Sequence, residues 1–361
     1  MQFKQINVGL IGFSVGGQVF HAPFIKCTKG LKLYKVLARK QEQKEILKEK
    51  YPEAYATEQV DEIIYDKDID LIVIATSNDV HFDLAKKALL AGKHVVVEKP
   101  FTVFSYQADE LIELARSKGL LLTVNHNARL LSDFLAVKEV LSSGKLGEVK
   151  NYEARFDRFR NYLRPGAWRE EDLPGSGIHY DLGSHLIDQS IELFGLPNAV
   201  FADLRKQREN AQAVDDFEIL LYYPSLKVSL KGQMLAKEPT PRYSVFGRLG
   251  TFIKYAGDNQ EARLREGTFP CDKEDWGQEE EVSFGVLNYQ KNGQDLQEHI
   301  ASPNGNMPKF YENIKEVLWY AKPLLVQPER ARDVVRILEL CELSAEQKKV
   351  VSLDAELISG Q

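Results

Sequence analysis

The feature that most constrains this chain is a regular alternation of short apolar runs and helical patterns in its first third. The apolar runs are rich in β-branched residues and predict strands at Ile6–Ile11, Leu33–Leu37, Leu71–Ala75, His94–Val97 and Leu120–Val124. Helical patterns lie between them, at Gln41–Lys50, Val80–Leu90 and Tyr106–Arg116. Nearly continuous apolar strands that alternate with helices are typical of a parallel sheet covered on both faces. We therefore predict a doubly wound, Rossmann-type α/β domain.

The pattern changes near Asn127. Strands in which polar and apolar residues alternate are predicted at Val149–Arg158, Val200–Lys206, Phe217–Tyr222, Lys227–Gln233, Tyr243–Phe246 and Thr251–Tyr255. Helices are predicted at Phe134–Leu141, Asp181–Phe194, Lys309–Tyr320 and Glu329–Gln347, whereas 258–306 is polar and is expected to have the least structure. Alternation favours a mostly antiparallel sheet with one packed face. The expected domains are residues 1–127, a Rossmann domain, and 128–361, an α+β domain.

Composition supports two globular domains, because the chain has 361 residues of which 43% are hydrophobic and 28% charged. Its 47 Lys and Arg against 53 Asp and Glu give a net charge of −6. A general nucleic-acid binder usually carries a basic field, so no nucleic-acid partner is expected. The apolar runs are far shorter than the roughly 20 residues that span a bilayer, so no membrane partner is expected either.

Cysteine usage and the first residues bear on the compartment. Cys27, Cys271 and Cys341 are far apart, are odd in number and form no CxxC pair, which excludes a disulfide scaffold or a cysteine zinc cluster. No basic segment followed by an apolar stretch opens the chain, so no signal peptide is expected. Both observations favour a cytoplasmic protein.

A glycine-bearing turn follows the first predicted strand. Gly12 and Gly17 occupy the first and third glycine positions of a dinucleotide-binding fingerprint, and Ser14 occupies the second. A serine can donate hydrogen bonds to phosphate, although its Cβ crowds the approach. The alternative is an ordinary strand-to-helix turn, but the surrounding βαβ pattern favours a nucleotide site.

The second predicted strand ends in Leu37-Ala38-Arg39-Lys40, without a carboxylate. An acidic residue at this place would bind a free ribose 2′-hydroxyl, whereas Arg39 can bind a 2′-phosphate. We therefore expect NADP to be preferred over NAD. The alternative is that the two cations only begin a solvated helix.

A charged pair and a proline, Glu98-Lys99-Pro100, follow the strand His94–Val97. The carboxyl end of such a strand faces the ligand crevice, and Pro100 restricts the backbone of Lys99. We expect the Lys99 ammonium to be held in the site. The alternative is a surface lysine that ends a strand.

A second constellation lies on the helix predicted from Asp181. Asp181 and His185 are four residues apart and share a face, with Asp188 one turn further. A histidine and a carboxylate so placed can relay a proton or fix an imidazole tautomer. With His179 they could instead hold a metal, but no cysteine ligand is near and no metal is expected. His21, beside the glycine turn, could either pack or line the site.

These motifs resemble those of the Gfo/Idh/MocA oxidoreductases. The resemblance rests on Gly12–Gly17 with Val19-Phe20-His21-Ala22-Pro23, on Glu98-Lys99-Pro100, and on Tyr180-Asp181-Leu182-Gly183-Ser184-His185. Asn125–Arg129 and Ala167–Glu170 are similar to segments of a subgroup that contains NADP-dependent scyllo-inositol dehydrogenases. Ser14, and Asn127-Ala128-Arg129 in place of Asn-Arg-Arg, depart from the usual pattern. The resemblance implies a C-terminal domain whose open sheet forms an oligomer interface, hence a homodimer or homotetramer.

The resemblance also implies site residues. Lys99, Asp181 and His185 would be catalytic. With the glycine turn and the second-strand cation, the expected cofactor-binding residues are Gly12, Phe13, Ser14, Val15, Gly17, Ala38, Arg39, Thr76, Asn78, His81, Glu98, Lys99, Asn127, Trp168 and Arg169. Arg158, Tyr162 and Tyr180 are expected to contact substrate, near the aromatic face of Tyr152 and Phe156. The alternative is that these aromatics only pack in the sheet.

Together these expectations predict an NAD(P)-dependent dehydrogenase that acts on a secondary alcohol of a small cyclic polyol or sugar. His185 would take the hydroxyl proton, Lys99 would stabilise the developing alkoxide, and Asp181 would orient the imidazole. Two alternatives stay open: NAD(P)-linked reduction of another carbonyl, imine or bilin, and NADP sensing without turnover. A sensor has no need for three proton-handling groups.

Overall fold

A computed structural model describes residues 4–355 of the chain. Its strands are β1 (Ile6–Ile11), β2 (Leu31–Leu37), β3 (Tyr55–Thr57), β4 (Leu71–Ile74), β5 (His94–Glu98), β6 (Leu122–Asn125), β7 (Val149–Arg155), β8 (Ala199–Arg205), β9 (Asp216–Tyr222), β10 (Lys227–Gln233), β11 (Tyr243–Gly247), β12 (Gly250–Lys254), β13 (Gly285–Lys291), β14 (Gln294–Ile300) and β15 (Val351–Ser352). Its helices are α1 (Val15–Phe20), α2 (Ala22–Cys27), α3 (Gln41–Lys50), α4 (Asp61–Ile64), α5 (His81–Leu90), α6 (Ser105–Lys118), α7 (Ser132–Ser142), α8 (Ser184–Phe194), α9 (Gln260–Arg265), α10 (Lys309–Tyr320) and α11 (Pro328–Gln347).

The chain divides into two compact units. The first comprises Met1–Asn127, Gln260–Trp276 and Asn306–Arg332, and the second comprises Ala128–Asn259, Gly277–Gly305 and Asp333–Gln361. Two later segments, 260–276 and 306–332, thus belong to the first unit. A division of the chain into 1–127 and 128–361 assigns them to the second. Local sequence patterns predict helices and strands, but they carry no information on which unit a late segment rejoins.

The first unit contains the predicted parallel sheet, with strand order β3-β2-β1-β4-β5-β6 within the described residues. Every residue of β4 is fully buried, as are Val95–Val97 of β5, because a parallel sheet of this kind is covered on both faces. The strand order reverses between β1 and β4, and the crevice outside their carboxyl ends is where such sheets bind ligands. The predicted doubly wound fold is confirmed.

The second unit contains a large, mostly antiparallel sheet, as predicted, in the order β14-β13-β12-β11-β7-β10-β9-β8-β15. Only the β7–β10 pairing is parallel in this sheet as described. The inward residues of β7, β9 and β10 pack with α7 and α8 in one hydrophobic core. Tyr152 and Ala154 belong to this core and are fully buried, so the alternation in β7 reflects sheet packing.

The polar segment 258–306 contains more structure than its composition predicts. β13 and β14 form a hairpin in which Lys291 pairs with Gln294. The two residues between them, Asn292 and Gly293, both have positive φ, +54° and +78°, which is what a tight hairpin turn requires. The Asn-Gly pair was one local signal. Strand β14 is largely exposed and polar, but alternate residues of β13, Leu287 and Tyr289, are buried in the core, and this alternation was a second signal.

A disulfide bridge joins Cys27 to Cys271 within the first unit, with the two Cα atoms 5.3 Å apart. The wide spacing of the cysteines in sequence was therefore a poor guide, because the second cysteine lies on a segment that returns to the first unit. Cys341 is buried and unbridged. Within residues 4–355, each helix is too short or too polar to cross a membrane.

Candidate active site

The glycine turn after β1 has the tight backbone that a dinucleotide site needs. Gly12 has a φ of +103°, and a Cβ there would lie 2.4 Å from the carbonyl oxygen of Ala75. A Cβ on Gly17 would lie 2.0 Å from the carbonyl oxygen of Gly12. Both positions therefore require glycine. Ser14 and Val15 are exposed at the start of α1, so the turn presents them to solvent.

Phe13, in contrast, turns inward. Its side chain is only 1% exposed and packs edge-on against Tyr51. Its carbonyl oxygen accepts hydrogen bonds of 2.9 Å from the side-chain amides of Gln18 and Gln43. The Phe13 ring thus packs in the first unit, and the expectation that Phe13 contacts a cofactor stays a prediction. An apolar residue next to a glycine turn gave no sign of which way it points.

The cation predicted after β2, Arg39, lies at the carboxyl end of that strand. Ala38 is buried, and its N–H donates to the carbonyl oxygen of Thr57. Arg39 is exposed, its Nε donates to the carbonyl oxygen of Glu58, and its N–H donates to Gln43. The guanidinium is therefore held by one backbone contact at the carboxyl end of β2.

The loop after β4 is more buried than expected. Thr76 is half-buried and Asn78 is buried. His81 is 1% exposed, with Nδ1 3.0 Å from the carbonyl oxygen of Pro100 and Nε2 3.3 Å from that of Thr76. Burial outweighs these oxygens and lowers the pKa of His81. The neutral imidazole has one N–H, so it donates to one of these two carbonyl oxygens. The expectation that His81 lines the nicotinamide side stays a prediction.

Glu98 and Lys99 end β5 at the same edge of the sheet as the glycine turn. The Glu98 carboxylate accepts the backbone N–H of Lys99 at 3.1 Å and the side-chain amide of Asn125 at 2.7 Å. Lys99 is half-buried, and its peptide bond to Pro100 is cis. The carboxylate thus fixes the backbone from which the Lys99 side chain extends.

A buried network completes this end of the sheet. His21 is fully buried, with Nε2 2.8 Å from Glu98 Oε1 and Nδ1 2.5 Å from the Tyr311 hydroxyl. Burial raises the pKa of Tyr311 far above its ordinary value. The Tyr311 hydroxyl therefore keeps its proton and donates a hydrogen bond to Nδ1 of His21. The packing alternative for His21 is the one observed. No local pattern could identify Tyr311, because it lies on a returning segment.

The network sets the charge on Glu98. Burial favours the neutral acid, but the contact with His21, the charge of Lys99 and the Asn125 amide outweigh it. The pKa of Glu98 therefore lies below its ordinary value of 4.5.

We expect Glu98→Gln to lower the free energy of unfolding near neutral pH by about 2 kcal/mol, because hydrogen bonds to a charged group are lost. Since the pKa of Glu98 is lower in the folded than in the unfolded chain, its contribution is complete above the ordinary value of 4.5 and disappears as the pH falls through the folded value. Denaturant unfolding at several pH values measures this. Glu113→Gln, an exposed carboxyl on α6, is the control, and an equal loss in the two variants would contradict the account.

In the second unit, the predicted helix containing Asp181 begins differently. A π-helical turn occupies His179–Gly183, and α8 begins only at Ser184. Such turns are frequent at functional sites. Asp181 Oδ1 lies 3.4 Å from Nε of Arg169, whose guanidinium stacks 4.6 Å from the Trp168 ring centroid. Trp168 and Arg169 are thus arranged around Asp181.

His185 lies at the start of α8 and is half-buried. Its imidazole contacts the Phe156 ring, with the two centroids 5.8 Å apart. The Phe156 ring also contacts a cation, because the Arg242 guanidinium lies 3.1 Å from its centroid. An imidazole supported by an aromatic ring is held in orientation while remaining accessible.

The neighbours of these two residues are structural. Asp188 is buried and forms a two-pronged pair with Arg129, at 2.8 and 2.7 Å. His179 Nε2 lies 3.4 Å from Glu342, to which the Tyr180 hydroxyl also donates at 3.2 Å. Tyr180 belongs to the hydrophobic core, and the expectation that it contacts substrate stays a prediction. Among residues 4–355, no three His, Cys, Asp or Glu side chains gather into a metal site.

The remaining candidates are accessible. Arg158 is exposed on the segment that follows β7, and its backbone N–H donates to the carbonyl oxygen of Gln233. Tyr162 is 63% exposed. Asn127, half-buried, begins the 3-10 turn that follows β6.

Comparison with known proteins identifies the family. The chain matches the oxidoreductase-family NAD-binding Rossmann fold over residues 6–126 and the oxidoreductase-family C-terminal alpha/beta domain over residues 138–353. It is 35% identical to scyllo-inositol 2-dehydrogenase (NADP(+)) IolW of Bacillus subtilis, covering 97% of this chain and 96% of that protein. It is 44% identical to the uncharacterized oxidoreductase YdgJ of Escherichia coli, covering 95% and 96%. A solved structure, the putative oxidoreductase yvaA of B. subtilis, superposes with a TM-score of 0.94 at 34% identity, covering 98% of this chain and 100% of the other. The chain therefore belongs to the Gfo/Idh/MocA oxidoreductase family.

Proposed function

We propose that this NAD(P)-binding oxidoreductase is an NADP-preferring dehydrogenase that oxidises a secondary alcohol of a cyclic polyol or sugar reversibly. The observation that carries the proposal is Lys99, which ends β5 at the sheet edge where the glycine turn lies and whose backbone is fixed by Glu98. The name of the B. subtilis relative supports an inositol-like substrate. Oxidation of a panel of polyols with NADP tests the proposal.

The first unit fits a dinucleotide. Gly12 and Gly17 leave no room for a Cβ and keep the turn close to the neighbouring strand, which is the arrangement that lets a pyrophosphate approach the backbone. We assign binding to the turn residues Gly12, Ser14, Val15 and Gly17, and the 2′-phosphate to Arg39. When bound, a nicotinamide cofactor supplies the hydride acceptor.

The chain's own groups handle the proton and the charge. His185 accepts the hydroxyl proton at one imidazole nitrogen, and its ring orientation is supported by Phe156. We assign to the Lys99 ammonium the stabilisation of the negative charge that develops on a substrate alkoxide. Asp181, paired with Arg169, acts as a positioning carboxylate for the imidazole. In the reverse direction the same groups return the proton.

We expect Arg39→Ala to reduce kcat/KM for NADPH by about 10- to 100-fold, because a hydrogen bond to a charged group contributes roughly 1.5–3 kcal/mol. Values for NADH should change by less than about threefold, since NADH has no 2′-phosphate. Lys44→Ala, which removes a nearby cation paired with Glu58, is the matched control. Equal losses for the two cofactors in Arg39→Ala would contradict the assignment.

A cytoplasmic homodimer or homotetramer completes the proposal. The oligomeric state is supported by the family to which the chain belongs. The cysteine argument for a cytoplasmic protein does not hold, because Cys27 and Cys271 form a disulfide bridge. Sedimentation of the purified protein would give the oligomeric state.

A further inference from the structure

An arginine-lined pocket lies in the second unit, beside the candidate catalytic carboxylate. We call it the arginine pocket; its charged lining consists of Arg158, Arg160, Arg164, Arg169, Arg208, Glu170 and Asp181. A neutral polyol has no charge for so many guanidinium groups to bind. The pocket therefore contains more positive charge than the proposed chemistry uses.

The contacts within the arginine pocket show how little negative charge is available. Glu170, whose side chain is 10% exposed, is shared by three guanidinium groups, at 3.1 Å from Arg164, 3.5 Å from Arg208 and 3.8 Å from Arg160. Arg208 is also paired with Asp215 at 2.9 Å. Five arginines thus face three carboxylates, Glu170, Asp181 and Asp215, which leaves an excess of two positive charges.

The excess positive charge affects the pKa of Arg160. Burial lowers the pKa of this guanidinium, and the neighbouring charges of Arg164 and Arg158 lower it further, against the opposing effect of Glu170. A cation held against other cations is stabilised when an anion enters. The planar guanidinium also matches the oxygens of a carboxylate or a phosphate.

A purely structural explanation accounts for only part of this arrangement. Glu170 and Arg208 connect the segment around residue 162, because Arg208 also donates to the carbonyl oxygen of Tyr162 at 2.8 Å. Such a connection needs one or two cations. It gives no reason for Arg158, which is exposed, or for Arg160, whose nearest carboxylate oxygen is 3.8 Å away.

The enclosed space of the arginine pocket is only about 20 Å³, room for about one water molecule. We therefore propose that an anionic group of the substrate, a carboxylate or a phosphate, binds at the rim of the arginine pocket, where Arg158 and Arg164 are exposed. This inference rests on the proposed dehydrogenase function and narrows its substrate class to polyol or sugar derivatives that carry a negative charge. Because Asp181 lines the same pocket, the anion would lie next to the group that positions His185. The charge would then orient the polyol for the reaction.

The test compares charged and neutral substrates in the full-length enzyme with NADP. D-glucuronate and an inositol monophosphate are the charged substrates, and glucose and myo-inositol are their neutral counterparts. We expect KM for one charged substrate to be at least about tenfold below that of its counterpart. Arg160→Gln should raise this KM by about tenfold and leave the neutral KM within about twofold. Arg160→Lys should restore part of the loss. Arg248→Gln, an exposed arginine of the same unit, is the control.

Calorimetric binding of D-glucuronate, of the inositol monophosphate and of inorganic phosphate provides a readout that does not need turnover. If an anion binds and Arg160→Gln weakens it, the pocket proposal holds even where no polyol is oxidised, and the dehydrogenase proposal alone fails. If neutral polyols are oxidised while no anion binds or reacts, the pocket proposal is overturned and the dehydrogenase proposal stands. If Arg160→Gln weakens only NADPH binding, the charge belongs to the cofactor and the proposal is overturned. Arg164→Gln repeats the test should Arg160→Gln not fold.

Discussion

His185→Asn is expected to lower kcat by about 10²–10⁴-fold on the true substrate, which is the usual contribution of a general acid–base group. The asparagine amide keeps a polar group beside Phe156 but accepts no proton at neutral pH. Binding of NADPH and the thermal unfolding midpoint should stay close to those of the wild type. Steady-state and single-turnover kinetics measure the change.

His299→Asn is the matched control for this variant, because His299 is an exposed residue of β14. It should leave kcat within about twofold, since surface substitutions rarely matter. Lys99→Met, which removes the charge assigned to the alkoxide, should cause a loss of similar size to that in His185→Asn. A kcat reduced by less than about tenfold in either His185→Asn or Lys99→Met would contradict the roles proposed for that residue.

Gly12→Ala is expected to lower kcat/KM for NADPH by about 100-fold. Its Cβ would lie 2.4 Å from the Ala75 carbonyl oxygen, so the turn or β4 must move, and a misplacement of about 1 Å can cost 10²-fold in rate. The positive φ adds strain of about 1–3 kcal/mol. Cofactor titration followed by protein fluorescence measures the loss of binding directly.

Variants of two other glycines separate the effect of the steric clash from the effect of backbone strain. Gly92 also has a positive φ, +78°, but a Cβ there meets nothing within 4 Å, so Gly92→Ala reports backbone strain alone. Gly16 lies in the same turn, and the nearest atom to its Cβ would be 3.8 Å away, so Gly16→Ala reports the turn without the clash. Both should bind NADPH within about threefold of the wild type. If either variant loses as much affinity as Gly12→Ala, the close approach of Gly12 is not what the cofactor needs.

Much of the fold could be predicted, because the burial of one or both faces of a strand determines which of its positions are apolar. Strand β4 and the centre of β5 are apolar since both faces of the sheet are covered. Strand β10 alternates since Val228 and Leu230 pack in the hydrophobic core, whereas Lys227 and Lys231 do not. The sequence could not predict that segments 260–276 and 306–332 belong to the first unit, because this depends on contacts between residues far apart along the chain. The disulfide bridge of Cys27 was missed for the same reason.

The candidate site shows a similar division. Gly12, Gly17 and Lys99 could be placed from local motifs, because a turn or a strand end fixes the backbone of each. Whether a side chain faces inward depends on the rest of the unit, so the burial of Phe13, His81 and Tyr180 could not be predicted from local motifs. The Tyr311 partner of His21 and the shared role of Glu170 required the folded chain.

The most direct test of the central claim is a substrate panel. Purified protein is incubated with NADP at alkaline pH and with neutral and anionic cyclic polyols and sugars, and reduced nicotinamide is followed by its absorbance. The account predicts turnover of at least one of these alcohols, faster with NADP than with NAD and lost in His185→Asn. Thermal stabilisation by NADPH without turnover of any member of the panel would contradict it.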